Sequence, residues 1–204
     1  EWLDAQTLTG CANDLHGPYL GLDGWIYWCK GAFAEQTWQQ PDGTTLKSRA
    51  SHIFRRPPEG GLVESVMTGG MDNPVGLAFT PEGERIFTCT FLQHPGGGKR
   101  DGIIHAIYGG VYGKVHDVID GHPRTGDLMP VMTHLGPAAP CGIVRYESEI
   151  LGSEFRNNLF VANFNLHKIS RHQLRPQGVT YQTDDTDFLT CNSTDFHPTD
   201  VIED

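Results

Sequence analysis

Apolar and polar side chains alternate along short stretches separated by turn residues, the pattern of half-buried strands. Asn157 to Phe164 (NNLFVANF) reads as one strand and Lys168 to Leu174 (KISRHQL) as a second, after Asn165-Leu166-His167. Gly178 to Thr183 (GVTYQT) reads as a third after Arg175-Pro176-Gln177, and Gly142 to Tyr146 (GIVRY) precedes all of them. Four antiparallel strands with short turns make a sheet of propeller-blade type. The same order occurs twice more. Tyr19 to Leu22 passes through the turn dipeptide Asp23-Gly24 into Trp25 to Lys30, then Ser51 to Arg56 and Leu62 to Thr68. Val75 to Thr80 turns at Pro81-Glu82-Gly83 into Arg85 to Phe91, followed by Gly102 to Tyr108 and Val131 to His134.

The openings of these units align without gaps. DNPVGLAFTPEG (Asp72 to Gly83) lies on NDLHGPYLGLDG (Asn13 to Gly24), and FHPTDVIED (Phe196 to Asp204) fits the same frame with His197-Pro198 over Asn73-Pro74. The period is about sixty residues, which predicts an all-β propeller of four-stranded antiparallel blades. The units run over 13–70, 71–136 and 137–195, and 196–204 reads as the opening strand of a further blade. Propellers close with about four to eight blades, so three and a start leave open sheet edges. Such edges predict a longer protein or self-association.

Composition narrows the partners. The 204 residues carry a formal net charge of −10, with 25 Gly and 13 Pro and only 20% charged residues. A disordered chain needs the opposite balance, and nucleic acid or an anionic membrane needs a basic face, so neither is expected as a partner. No apolar run approaches the ~20 residues of a membrane-spanning helix. The chain begins Glu1-Trp2 without an initiator Met or signal-peptide pattern and stops at Glu203-Asp204, which reads as a fragment or a processed chain. Five cysteines occur, at 11, 29, 89, 141 and 191, with no CxxC or CxxCH spacing. Cys29 and Cys89 fall in apolar strand patterns and read as small buried hydrophobes, while a Cys141–Cys191 disulfide stays open.

In a propeller the loops entering the innermost strands gather at one end of the axis. The residues this frame brings there are Asn13, Asp14, His16, Asp72, Asn73, Pro140, Cys141, His197 and Asp200. Convergent polar groups in a concave mouth are the default site. His16 is the candidate general base, set against a role capping the loop. Asn73 and His197, with Asp14, are candidate ligand contacts, set against turn-forming roles before proline for the first two. Asp72 and Asp200 are candidate calcium ligands, set against solvated carboxylates. The glycine-rich loop Gln93 to Asp101 is not a Walker motif, His105, His116, His122 and His134 match no metal spacing, and no GxSxG or HExxH motif occurs.

GGMDNPVGLAFTPEG (Gly69 to Gly83), GIIHAIYGGVYG (Gly102 to Gly113) and APCGIVRYES…FRNNLFVANFNLHKISRHQL (Ala139 to Leu174) resemble the pyrroloquinoline-quinone-dependent sugar dehydrogenases. The nearest likeness is to the membrane-bound dehydrogenase propeller domain, often found beside a c-type haem domain in exported bacterial proteins. The resemblance covers nearly the whole chain, about half of a six-bladed propeller. It implies a carbohydrate or polyol substrate, pyrroloquinoline quinone with bridging calcium at the channel mouth, and a periplasmic or extracellular location. It also implies a c-type haem redox partner, His16 as the base and Asn73 as a cofactor contact. This chain departs from the family's Arg-Asn-Pro in having Asp72-Asn73-Pro74, which places a carboxylate where a guanidinium would pair with an anionic cofactor. Two functions are therefore carried forward: a quinone-linked sugar dehydrogenase, and a non-catalytic propeller that binds carbohydrate or protein. Other propeller chemistry, such as a lactonase-like calcium site, remains a third.

Overall fold

The computed structural model describes Trp2, residues 15–93 and residues 97–204. In chain order the strands are β1 (Leu15–Leu20), β2 (Ile26–Lys30), β3 (Gln36–Gln39), β4 (Thr45–Ser48), β5 (Ser51–Arg56) and β6 (Glu64–Gly69). There follow β7 (Asn73–Phe79), β8 (Arg85–Thr90), β9 (Asp101–His105), β10 (Gly110–Tyr112) and β11 (Thr133–Gly136). The last are β12 (Pro140–Arg145), β13 (Leu159–Asn163), β14 (Lys168–Gln177) and β15 (Thr180–Thr190). Their sheets are ordered β1-β2-β5-β6-β10, β11-β9-β8-β7 and β12-β13-β14-β15, with β3-β4 as a separate hairpin. Among these strands every pairing is antiparallel except that of β10 with β6. The architecture is part of a β-propeller.

Strand periodicity explains the layering, because successive side chains point to opposite faces. In β2, Tyr27 and Cys29 face the second sheet, joining Ile53, Met67, Leu77, Phe87 and Ile104 in one core, while Trp28 faces away toward Trp38 and Phe54. In β13, Leu159 and Val161 meet Ile86 and Ile103 of the second sheet, while Phe160 and Ala162 form an outward cluster with Tyr146. The two sheet interfaces are thus apolar.

The first strands of the three sheets, β1, β7 and β12, lie side by side. The Tyr19 hydroxyl donates to Val75 O at 2.7 Å, binding β1 to β7. Thr88 donates its hydroxyl to Cys141 O at 2.5 Å and accepts from Gly76 N at 2.9 Å, binding β7 and β8 to β12. Gly76 is required by this approach: a Cβ there would sit 2.6 Å from Cys141 O. All three strands carry a register shift near their start, between His16 and Tyr19, Pro74 and Leu77, and Pro140 and Ile143. Such irregularities re-aim the side chains at the entry of each strand.

Three expectations are corrected. Residues 196–204 form no strand. They run beside β12 instead, with Gly142 N donating to Thr199 O at 3.1 Å and Glu203 accepting from Glu147 N and Ser148 N. A ladder is a repeated set of backbone bonds, whereas this segment is held to β12 by the Gly142–Thr199 backbone bond and by the Glu203 side chain. The hairpin β3-β4 is absent from the strands that the pattern predicts, although Pro41-Asp42-Gly43 signals its turn and Asp42 accepts from Thr44 N at 2.9 Å. No Cys141–Cys191 disulfide forms, and both thiols are free. Cys141 lies in β12 and Cys191 directly follows β15, the two edges of one four-stranded sheet, about 14 Å apart and twice the span a disulfide tolerates. Cys29 and Cys89 are buried as expected.

Candidate functional site

The starts of the inner strands gather at one end of the sheets. His16, near the start of β1, places Nε2 3.0 Å from Oδ1 of Asn73, the first residue of β7. Two residues read separately from the sequence, 57 positions apart, thus form one pair across two sheets. Asp72, the residue before, forms an ion pair with Lys114, and the Lys114 ammonium also lies 5.4 Å from the Phe33 ring centroid. The carboxylate that would repel an anionic ligand is therefore neutralised by a lysine from Tyr108 to Met129, an insertion in the second unit. Sequence reading missed Lys114, since nothing in the local pattern links it to a residue 42 positions earlier.

His197 and Asp200 take other parts. His197 stacks on Phe164 at 4.3 Å between centroids, lies 4.9 Å from the His167 ring, and bonds Phe164 O at 3.1 Å. The Asp200 carboxylate accepts from Val201 N at 2.8 Å and lies against Gly142, where a Cβ would collide with it. Asp200 and Asp72 do not share a partner: Asp200 bears on Tyr19 and Cys141, whereas Asp72 is held by Lys114. Among the described residues no group of three or more His, Cys, Asp or Glu is placed to hold a metal. Asp14 and Asn13 lie outside the described residues.

Beneath the mouth, Asp101 is a fully buried carboxylate. It accepts from Arg100 Nε and Nη2 at 2.9 and 2.7 Å, from Phe91 N at 3.1 Å and from Ala139 N at 2.8 Å. Paired and hydrogen-bonded in this way a buried charge is tolerated. Asp101 fixes the entry of β12 to the second sheet. Burial, followed by the charges of Cys29 and Asp200, pushes the Tyr19 phenol upward.

A second constellation has the chemistry of a nucleophilic triad. Ser170 Oγ lies 2.7 Å from His172 Nε2, and His172 Nδ1 lies 2.7 Å from Asp185 Oδ1, beside a 440 Å³ cavity. Burial acts to raise the Asp185 carboxyl, but hydrogen bonds led by that from His172 carry it below its ordinary value. Exposure runs the wrong way for catalysis: the Asp185 side chain is 40% exposed, while Ser170 and His172 are buried. The other two sheets repeat the device. His52 on β5 bonds Ser48 and Ser65, and His105 on β9 bonds Thr180 and Glu84. Thr133 on β11 donates to Asp185 at 2.9 Å. These histidines stitch strands and sheets together.

Residues 10–203 match the family DUF7133, described as a domain of unknown function. The chain belongs to that family. No curated protein matches it. Solved structures resemble this DUF7133 chain in fold. One, from Thermus thermophilus, is described as a putative oxidoreductase (glucose dehydrogenase), with a TM-score of 0.56 and 21% identity over 84% of this chain and 51% of that one. Another is the PQQ-bound form of aldose sugar dehydrogenase from Streptomyces coelicolor, with a TM-score of 0.56 and 18% identity over 86% and 49%. A third, a glucose dehydrogenase, has a TM-score of 0.57 and 18% identity over 85% and 54%. The DUF7133 chain spans about half the length of these structures. The fold is that of the sugar-dehydrogenase-like propellers.

Proposed function

We propose that this chain is part of a propeller that oxidises a hydroxyl of a carbohydrate or polyol, with His16 as proton acceptor and pyrroloquinoline quinone as cofactor. In this reading residues 13–70, 71–136 and 137–195 are successive blades. The observation that carries the proposal is the His16–Asn73 pair at the mouth. With Oδ1 of Asn73 accepting, His16 Nε2 holds a proton and Nδ1 keeps the lone pair that a base requires. Asn73 is the positioning residue: it fixes the ring and its tautomer. His16 Nδ1 takes the substrate's hydroxyl proton while the carbinol hydride leaves toward the acceptor, giving a carbonyl product. When bound, the quinone supplies the two-electron acceptor.

The residues present are compatible with an anionic quinone, because the Asp72 carboxylate is already neutralised by Lys114. Calcium fits less well, since Asp72 and Asp200 are engaged separately. No step is routed through it. The names of similar structures, one of them PQQ-bound, support this reading. In this reading the protein works outside the cytoplasm, with a c-type haem partner as electron sink. Among the described residues no helix is long and apolar enough to cross a membrane.

The second reading, a non-catalytic propeller binding carbohydrate or protein, draws on the charge beside the pair: the nearby cation, Lys114, is already held by Asp72. A thermal-melt titration with pyrroloquinoline quinone, with and without calcium, separates the two. A ligand at ~100 times its dissociation constant adds about 2.7 kcal/mol to stability. A raised midpoint together with dye reduction by sugars, lost in His16→Ala, supports the dehydrogenase. No shift with quinone, with or without calcium, supports the binding module.

A further inference from the structure

The insertion between β9 and β11 and the second sheet flank an open cavity of 520 Å³. That volume lies within the range of about 300–1,000 Å³ typical of small-molecule sites. Leu128, Met129 and Val131, all half-buried, supply an apolar wall. The charged and polar groups that reach it are Lys99, Lys114, His134 and Gln93. None of the described lining residues is a carboxylate, in a chain whose net charge is −10. Lys114 is paired with Asp72, which is not among the lining residues. The free positive charge of the cavity is therefore that of Lys99 at its exposed rim, with which no carboxylate among the described residues is paired. Burial and the Lys99 ammonium together hold the His134 imidazole below its ordinary value, so both groups act on one corner.

An apolar wall with one cationic corner selects its ligand. A neutral sugar leaves the wall uncovered, and a phosphate dianion meets only one unpaired cation. We propose that this cavity binds a small organic carboxylate with an aromatic or alkyl body, the carboxylate meeting Lys99 and the body lying on Met129 and Val131. The His16–Asn73 pair contributes no residue to the cavity, which meets the candidate cofactor site only through Lys114, held by Asp72. Carboxylate binding there does not depend on the dehydrogenase reading.

The probes are 1-naphthoate and its neutral counterpart 1-naphthalenemethanol, titrated into the isotope-labelled full chain and followed by amide chemical shifts. Shifts are expected at Gly113, Lys114 and Met129, with the carboxylate about tenfold tighter than the alcohol, as one charge-assisted hydrogen bond provides. Lys99→Gln should bring the carboxylate to the level of the alcohol while the spectrum of the free protein stays folded. Met129→Trp, which fills the cavity, should weaken both ligands. Equal affinity for the two probes would overturn the proposal. So would undiminished carboxylate binding in Lys99→Gln, shifts confined to the exposed face around Phe188 and Ile202, or no saturable shift up to about 10 mM.

Discussion

At the scale of single residues, His52 shows how burial turns a titratable group into a stability switch. Burial, then the charges of Lys30 and His122, lower its pKa to about 3. The unfolded chain protonates histidine near 6.5. Between those values the unfolded state binds a proton that the folded state refuses, so stability falls as pH drops, by up to about 1.4 kcal/mol per pH unit. Above the unfolded value this residue contributes no slope. Urea unfolding of the native protein and His52→Gln, measured at about pH 7 and about pH 5, should show the native protein losing about 2 kcal/mol more on acidification. Equal losses would mean that another group governs the acid limb. The same scale separates His16 from His52. His16 belongs to a pair at the strand ends, whereas His52 is held by Ser48 and Ser65 within its own blade.

At the scale of elements, glycines and hydroxyls decide how closely the inner strands approach. Gly142 has no room for a side chain, because the Asp200 carboxylate and backbone fill the space. Gly142→Ala is expected to cost about 1–3 kcal/mol by overpacking, read as a lowered urea midpoint with the slope unchanged. Thr88 bridges two sheets through both capacities of one hydroxyl. Thr88→Val keeps the shape and removes both bonds, so it should cost about 1–3 kcal/mol for the unsatisfied Gly76 amide and Cys141 carbonyl. A smaller loss would show that water replaces the hydroxyl.

The strands themselves were legible in the sequence because each presents alternate residues to an apolar interface, as Leu159 and Val161 do against Phe160 and Ala162. The unit openings were legible because the same frame of proline and glycine recurs, whereas the register shifts at the strand entries were not. Nor was contact across the repeat legible. Lys114 reaches Asp72 from an insertion with no counterpart in the other units, and β10 pairs with a strand of the preceding sheet. The pairing of His16 with Asn73 needed β1 and β7 to lie side by side, which periodicity implies but does not measure.

At the scale of the whole molecule, the two outer faces differ. The outward residues of the first sheet, Trp28 and Phe54, are covered by Trp38 of the β3-β4 hairpin and by Trp2. Among the described residues, the outward face of the third sheet is partly covered by Phe155 and by 196–204. Beside it Ile150, Leu151, Phe188 and Ile202 are exposed, next to a 280 Å³ groove lined by Tyr146, Phe160 and Val201. Clustered exposed apolar side chains mark an interaction surface. In the reading of this chain as part of a propeller, a neighbouring blade occupies this face; in residues 1–204 taken alone, the same face of a second copy takes its place, an isologous contact that closes at two and does not propagate. Residues 1–204 expressed alone are therefore expected to dimerise with rising concentration, seen as a doubled mass by light scattering. Phe188→Lys with Ile202→Asp should restore the monomer without lowering the thermal midpoint by more than about 4 °C. A native chain that stays monomeric at high concentration would rule out self-pairing. Larger assemblies in place of dimers would mean that the bare face meets a different surface of its neighbour.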